Sequence, residues 1–262
     1  MSQAQTLMTN PQMLADLVKL TKEAGEVILK IYHSDSFDVQ KKGDESPVTA
    51  ADLAAHYYIM AGLKKITPSI PVVSEEDPSS LAIAQENTCY WLIDPLDGTK
   101  EFISKNGEFT VNLALIEEHR PSFALVGVPV ANTVYWGGER LGAFRQEQDK
   151  LHHITPIKCV KAEHPMRVLA SKSHLNEDTK ILIDELGPTT LIQAGSSLKF
   201  IRIAEGLADY YPRLAPTCEW DTAAAQAVLE GAGGSVKQAS GEAMVYGKAD
   251  ILNPHFIATG LS

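Results

Sequence analysis

The sequence predicts a mixed α/β protein: an α+β first half with an antiparallel sheet, then an α/β second half. Three observations predict it. Two long stretches with apolar residues at helical spacing open the chain. A series of apolar runs follows, with only turn residues between them. Beyond the hydrophilic stretch Gln146-Glu147-Gln148-Asp149-Lys150, short strands alternate with helices. That stretch marks a seam between approximate halves 1–148 and 149–262 of what reads as a single catalytic unit.

Asn10-Pro11 reads as a helix cap with proline at the first helical position, and Leu14, Leu17, Val18, Ala24, Val27, Ile28 and Ile31 continue at helical spacing. The polar segment from Lys41 to Pro47 reads as a loop. A second helix spans about Ala50 to Ile66 and stops at Thr67-Pro68. Strands follow at Val72-Val73, Cys89–Ile93, Val111–Ile116, Phe123–Val130 and Thr133–Trp136. In the second half Arg167–Ala170 and Thr190–Ile192 read as strands. Glu177–Leu186, Ser197–Glu205 and Asp221–Glu230 read as helices, the last two ended by Gly206 and Gly231. This alternation predicts a more parallel sheet.

Composition narrows the function. The chain has 262 residues, 44% of them hydrophobic, and a formal net charge of −10, which argues against a general nucleic-acid or membrane-surface binder. An anionic substrate stays compatible, since bound metal and a few placed cations reverse the local field. Cys89, Cys159 and Cys218 are widely spaced, with no Cys-x-x-Cys, which suggests a reducing cytoplasm. No apolar run approaches the ~18 residues of a membrane span.

The most informative stretch is Asp94-Pro95-Leu96-Asp97-Gly98-Thr99, directly after the apolar run Tyr90–Ile93. Taken alone it is an ordinary turn. After a buried strand, its acids point into a cleft. Further acidic clusters stand at Ser74-Glu75-Glu76-Asp77 and Glu219-Trp220-Asp221-Thr222. If Glu75, Asp94, Asp97 and Asp221 converge, any two charges about 4 Å apart repel by about 4 kcal/mol at an effective dielectric of about 20. Such a cluster needs cations, and oxygen ligands alone select magnesium or manganese. Other motifs fail. An EF-hand would require Glu where Lys105 stands, and a P-loop would require Ser or Thr where Ala249 stands. Ser196 has no Gly-x-Ser-x-Gly elbow, and His152-His153 lacks a third metal ligand nearby.

Together the motifs resemble the inositol monophosphatase superfamily of magnesium-dependent phosphatases, and within it the 3′(2′),5′-bisphosphate nucleotidases. The resemblance runs from Ser46-Pro47-Val48-Thr49-Ala50-Ala51-Asp52 to Trp220-Asp221-Thr222-Ala223-Ala224. Between these ends it includes Lys100-Glu101-Phe102, Gly107–Asn112 and Gly195–Lys199. It implies a layered αβαβα sandwich of the sugar-phosphatase type and two or three Mg²⁺ ions. Glu75, Asp94 and the Leu96 carbonyl would hold the first; Asp94, Asp97 and Asp221 would hold the second. Glu75, Thr99 and Asp52 would be the catalytic set that activates water, with Asp52 hydrogen-bonded to Thr99. Substrate contacts would come from Glu75, Asp97, Gly98, Thr99, Lys100, Ser196, Ser197, Lys199, Arg213 and Asp221. The resemblance also implies inhibition by Li⁺.

Related inositol phosphatases carry a sugar-gripping Glu shortly before their Trp-Asp, whereas this chain has Tyr210-Tyr211-Pro212-Arg213. Arg213 and Lys199 would pair with a second phosphate, unless each is simply an exposed cation. Ser196 and Ser197 fit a helix cap, a ligand contact or both. The expected substrate is adenosine 3′,5′-bisphosphate, cleaved to AMP and phosphate in clearance of a sulfate-assimilation by-product. The alternatives are an inositol or other sugar monophosphatase, and a magnesium-dependent nucleotide-binding regulator with little turnover.

Overall fold

Helix α1 (Gln3–Thr9) lies before the expected first helix, α2 (Pro11–Tyr32), whose N-cap Asn10 accepts from Gln12 N and Met13 N. The computed structural model describes residues 2–34, 39–41, 47–147, 154–162, 164–171 and 176–261. Strands β1 (Val39–Lys41) and β2 (Pro47–Thr49) pair with each other, so the ends of the expected Lys41–Pro47 loop are strand; residues 42–46 and His152-His153 lie outside the described residues. Helix α3 (Ala50–Ile66) has the expected bounds, with Thr49 as N-cap and Asp52 completing a capping box.

Among the described residues, seven strands make the first sheet: β3 (Val72–Ser74), β4 (Cys89–Asp97), β5 (Thr110–Glu117), β6 (Arg120–Val128), β7 (Thr133–Gly138), β8 (Gly142–Glu147) and β9 (Ile154–Ile157). They lie in chain order. The sheet is antiparallel as expected, except that β3 and β4 are parallel because α4 (Leu81–Glu86) crosses over between them. Because β9 pairs with β8, this sheet continues past residue 148.

The second half adds β10 (Met166–Ser171), α6 (Glu177–Glu185), β11 (Thr189–Ala194), α7 (Leu198–Ala204), β12 (Tyr210–Arg213), α8 (Glu219–Gly231), β13 (Ser235–Gln238) and β14 (Phe256–Thr259). Its sheet runs β11-β10-β12-β14-β13. It is parallel only across β11, β10 and β12, because β14 returns antiparallel between β12 and β13.

Period-two burial fixes the layers. Trp91 and Ile93 of β4 join a core with α2 and α3, while Tyr90 and Leu92 face a second core built on α8 and the smaller sheet. Helices α2 and α3 thus cover one face of the large sheet. Helices α7 and α8 fill the space between the sheets, and α6 lies against β12, which gives the five-layered αβαβα sandwich.

Several boundaries differ from expectation. Strand β4 does not stop at Ile93; it reaches Asp97 through a register shift between Asp94 and Asp97, a bulge that accommodates Pro95, which has no N–H for the ladder. Strand β6 ends at Val128, ahead of Pro129, for the same lack of a donor. Gly206 ends α7 with φ +73°, but Gly231 is itself helical, and the left-handed position after α8 is Gly233 at φ +94°. Among the described residues, no helix is long and apolar enough to cross a membrane.

Candidate active site

Asp94, Asp97 and Asp221 each bring one carboxylate oxygen within 4.8 Å of the other two. Strand β4 supplies the first two on either side of its bulge, and the first turn of α8 supplies the third. Glu75, in the turn after β3, is close enough to Asp94 to share a proton with it.

Each aspartate is held by one oxygen. Asp94 Oδ1 accepts from Leu96 N at 3.0 Å. Asp221 Oδ2 accepts from Cys218 N at 2.7 Å in a capping box. Asp97 Oδ2 accepts from Ser197 N at 2.6 Å, Ser197 Oγ at 2.7 Å, and Thr110 Oγ1 and Asn112 Nδ2 at 3.3 Å each. Burial pushes all three carboxyls above the usual carboxylate range, and mutual repulsion with Glu75 pushes Asp94 and Asp221 further. A crowded, all-oxygen, acidic donor set fits a hard divalent cation.

Thr99 opens α5 (Thr99–Ile103), after Gly98 turns the chain at φ +93°. Its Oγ1 donates to Asp52 Oδ1 at 3.2 Å. Asp52 is buried, and its Oδ2 accepts from Thr49 N at 2.8 Å. It is therefore not a solvated helix-face acid; the α3 cap leads directly to the Thr99 hydroxyl.

Thr99, Gly98, Glu75, Asp97 and Asp221 line a cavity of about 250 Å³ that Lys199 and Arg213 also line. Both cations are buried, which removes the reading of either as an exposed surface charge. Lys199 Nζ donates to Ser196 O at 2.7 Å and Ala194 O at 3.3 Å, and it lies 5.4 Å from the Tyr211 ring centre. Burial lowers its pKa to about 8, with Arg213 lowering and Asp97 raising it. Arg213 donates from NH2 to Pro216 O at 3.2 Å, while its Nε is buried without a hydrogen-bond partner.

The other expected positions divide. Lys100 and Ser196 also line the cavity, and Ser196 Oγ is buried without a partner. Leu96 is buried between the two β4 aspartates. Ser197 stands behind Asp97. Its hydroxyl makes no cap bond for α7, because it is turned to Asp97 and to Asp221 O, at 3.1 Å. Glu219, part of the third acidic cluster, is drawn away from the cavity to Gly247 N and Lys248.

Sequence reasoning missed Asn112, whose Nδ2 bridges Asp97 Oδ2 and Ser197 Oγ. A lone amide in an apolar strand was the available signal. The segments around Gly107 and Gly195 prove to be neighbours: Gly195 N donates to Glu108 Oε2 at 2.8 Å. A Cβ at Gly195 would meet Glu101 Cγ at 2.6 Å, so only glycine fits there.

Comparisons with known proteins agree in family. The model of the inositol monophosphatase family matches residues 10–260. The chain is 44% identical over 246 residues to the 3′(2′),5′-bisphosphate nucleotidase CysQ of Escherichia coli K12, covering 93% of this chain and 98% of that one. The crystal structure of CysQ from Bacteroides thetaiotaomicron, a bacterial member of the same family, superposes with a TM-score of 0.83 at 39% identity, covering 95% and 97% of the two chains. The extragenic suppressor protein SuhB of Bartonella henselae shares the fold, with a TM-score of 0.76 at 20% identity over 94% and 93%.

Proposed function

The chain belongs to the inositol monophosphatase family, and from that membership we propose a magnesium-dependent 3′(2′),5′-bisphosphate nucleotidase that hydrolyses the 3′-phosphate of adenosine 3′,5′-bisphosphate to AMP and phosphate. The observation that carries this reading is the joining of an acidic cluster and two buried cations in one cavity. The CysQ relatives support it by name.

Glu75, Asp94 and the Leu96 carbonyl would hold one Mg²⁺, and Asp94, Asp97 and Asp221 a second, with a weaker third ion reached through Glu75. When bound, these ions supply an acidified water and stabilise charge on the leaving oxygen. The protein's own groups do the rest. Thr99 spends its proton on Asp52, so its oxygen is left as an acceptor that orients the attacking water. Glu75 is the neighbouring carboxylate that accepts that water's proton. Main-chain N–H groups of Gly98 and Thr99, with Lys100 at the rim, hold the phosphate undergoing attack. Lys199, Arg213 and Ser196 hold the second phosphate: the unpaired Arg213 Nε and Ser196 Oγ are buried donors without an acceptor, which a phosphate supplies.

Phosphate release from purified protein tests the assignment. With Mg²⁺, kcat/KM for adenosine 3′,5′-bisphosphate should exceed that for inositol 1-phosphate by at least about 10², since each charge-assisted hydrogen bond contributes about 1.5–3 kcal/mol. The reverse preference would select a sugar monophosphatase. Tight binding of the bisphosphate without turnover would select a regulator.

A further inference from the structure

The turn that presents Glu75 is held by a residue from outside the acidic cluster. Asp77 N donates to Ser74 O at 3.1 Å, which closes a tight turn with Glu75 and Glu76 at its centre. Glu75 N continues the ladder to Ile93 O at 3.2 Å, and Ser74 N donates to Ser80 Oγ at 3.0 Å. The Ser74 hydroxyl accepts from Glu76 N at 3.3 Å, and 2.8 Å away stands Nδ1 of His56. His56 is buried on α3, one helical turn beyond Asp52 and on the same face.

We propose that His56 is a positioning residue for the reaction: by fixing the Ser74 hydroxyl it sets the Glu75 carboxylate against the Thr99 hydroxyl that Asp52 holds. One face of α3 then fixes both limbs of the water-activating set, four residues apart. The Ser74 hydroxyl accepts from Glu76 N and still has both a proton and a second lone pair for Nδ1, so the contact forms with either tautomer of the ring. Burial, opposed by Asp77, holds the imidazole below its ordinary pKa, consistent with a neutral ring. The inference rests on the reading of Glu75 as a metal ligand and proton acceptor, but not on the identity of the substrate.

The test compares His56→Ala, His56→Asn and Ser74→Ala by calorimetric Mn²⁺ titration and by steady-state kinetics. Outer partners of metal ligands typically carry about 10–100-fold in affinity or activity. His56→Ala should therefore lower both Mn²⁺ affinity and kcat by about tenfold, with KM within about twofold of wild type. Asparagine, whose amide occupies the place of Nδ1, should restore most of both. The His56→Ala/Ser74→Ala double variant should be no worse than the more damaging single one. Unchanged Mn²⁺ affinity in folded His56→Ala, equal loss in the alanine and asparagine variants, or additive loss in the double variant would each overturn the proposal. Should His56→Ala fail to fold, Ser74→Ala reads the same contact from its other side. If the wild type hydrolyses no bisphosphate, that assignment fails, while the Mn²⁺ titration still decides the role of His56.

Discussion

Asp94, Asp97 and Asp221 crowd their oxygens within 4.8 Å as the acidic end of the site, while Lys199 and Arg213, lining the same cavity as Asp97 and Asp221, form a basic end that donates to main-chain carbonyls. Both ends bury like charges, yet they compensate differently. The acids are tied by main-chain and side-chain donors through one oxygen each, and their pKa values still rise. The cations rest on carbonyls at Ser196, Ala194 and Pro216, and Lys199 falls only to about 8. The acidic end is thus built for a strongly held external charge. The basic end is partly satisfied by its own backbone, which suits a ligand that arrives and leaves.

The largest effect should come from the acidic end. Asp94→Asn removes a charge shared by both proposed metals, so kcat should fall by on the order of 10³-fold, as in EDTA-treated wild type. Full turnover by metal-stripped protein in chelator would break the contrast, because the acids would then need no partner. Next in size is the water-orienting hydroxyl. Thr99→Val should lower kcat by about 10²-fold while calorimetric Mg²⁺ affinity stays near wild type. Asp52→Asn should act in the same direction and less. An equal loss of Mg²⁺ affinity in Thr99→Val would assign Thr99 to the metal end instead.

The basic end should respond more gently and selectively. Lys199→Ala and Arg213→Ala should each lower kcat/KM for the bisphosphate by about 10–10²-fold, the worth of one charge-assisted contact. Hydrolysis of a simple monophosphate should change far less. Equal damage to both substrates would show that these cations support the fold or the reacting phosphate rather than a second one.

How far this contrast was legible depends on how local its signals are. Helix α3 was read with the bounds it has, since Thr49, Asp52 and Pro68 punctuate it within a few residues. The site acids were legible because an aspartate after a buried strand is conspicuous. The path of β4 was not, because Pro95 argues against strand continuation until a bulge is known to take it up. Strands β12 and β14 exist through pairing with each other, 43 or more positions apart in the chain, and nothing in either four-residue run announces the other. Asn112 and His56 escaped, and Ser197 was read as a cap or ligand contact rather than as the partner of Asp97, for a related reason. Each is a single polar residue whose partner lies far along the chain, and hydrogen-bond geometry leaves no trace in periodicity.

The smallest effect concerns stability without metal, and it tests the compensation directly. A carboxylate whose folded pKa is raised keeps its proton in the fold after the unfolded chain has lost it. Stability therefore falls as pH rises from the ordinary carboxylate value towards the raised one. Asp94, Asp97 and Asp221 all act in this sense, as does Glu230, pushed up to about 7 by burial. Among the described residues, groups with shifts of opposite sign lie outside a window from about pH 6.5 to 8. His56, lowered, adds stability with pH only below its ordinary value, and Lys199 does so only above about 8. Asp209, held low by its bonds to Arg167, loses stability only in acid. In EDTA the wild-type unfolding free energy should thus decline across the window, by up to about 1.4 kcal/mol per pH unit for each group titrating. Asp221→Asn should flatten the decline, and Glu230→Gln should remove a separate part of it. Saturating Mg²⁺ should oppose the decline in wild type, since the cation binds the ionised acids and stabilises the fold that holds it. A metal-free stability that rises with pH here, or an Asp221→Asn slope equal to wild type, would mean that the acids are already balanced from within.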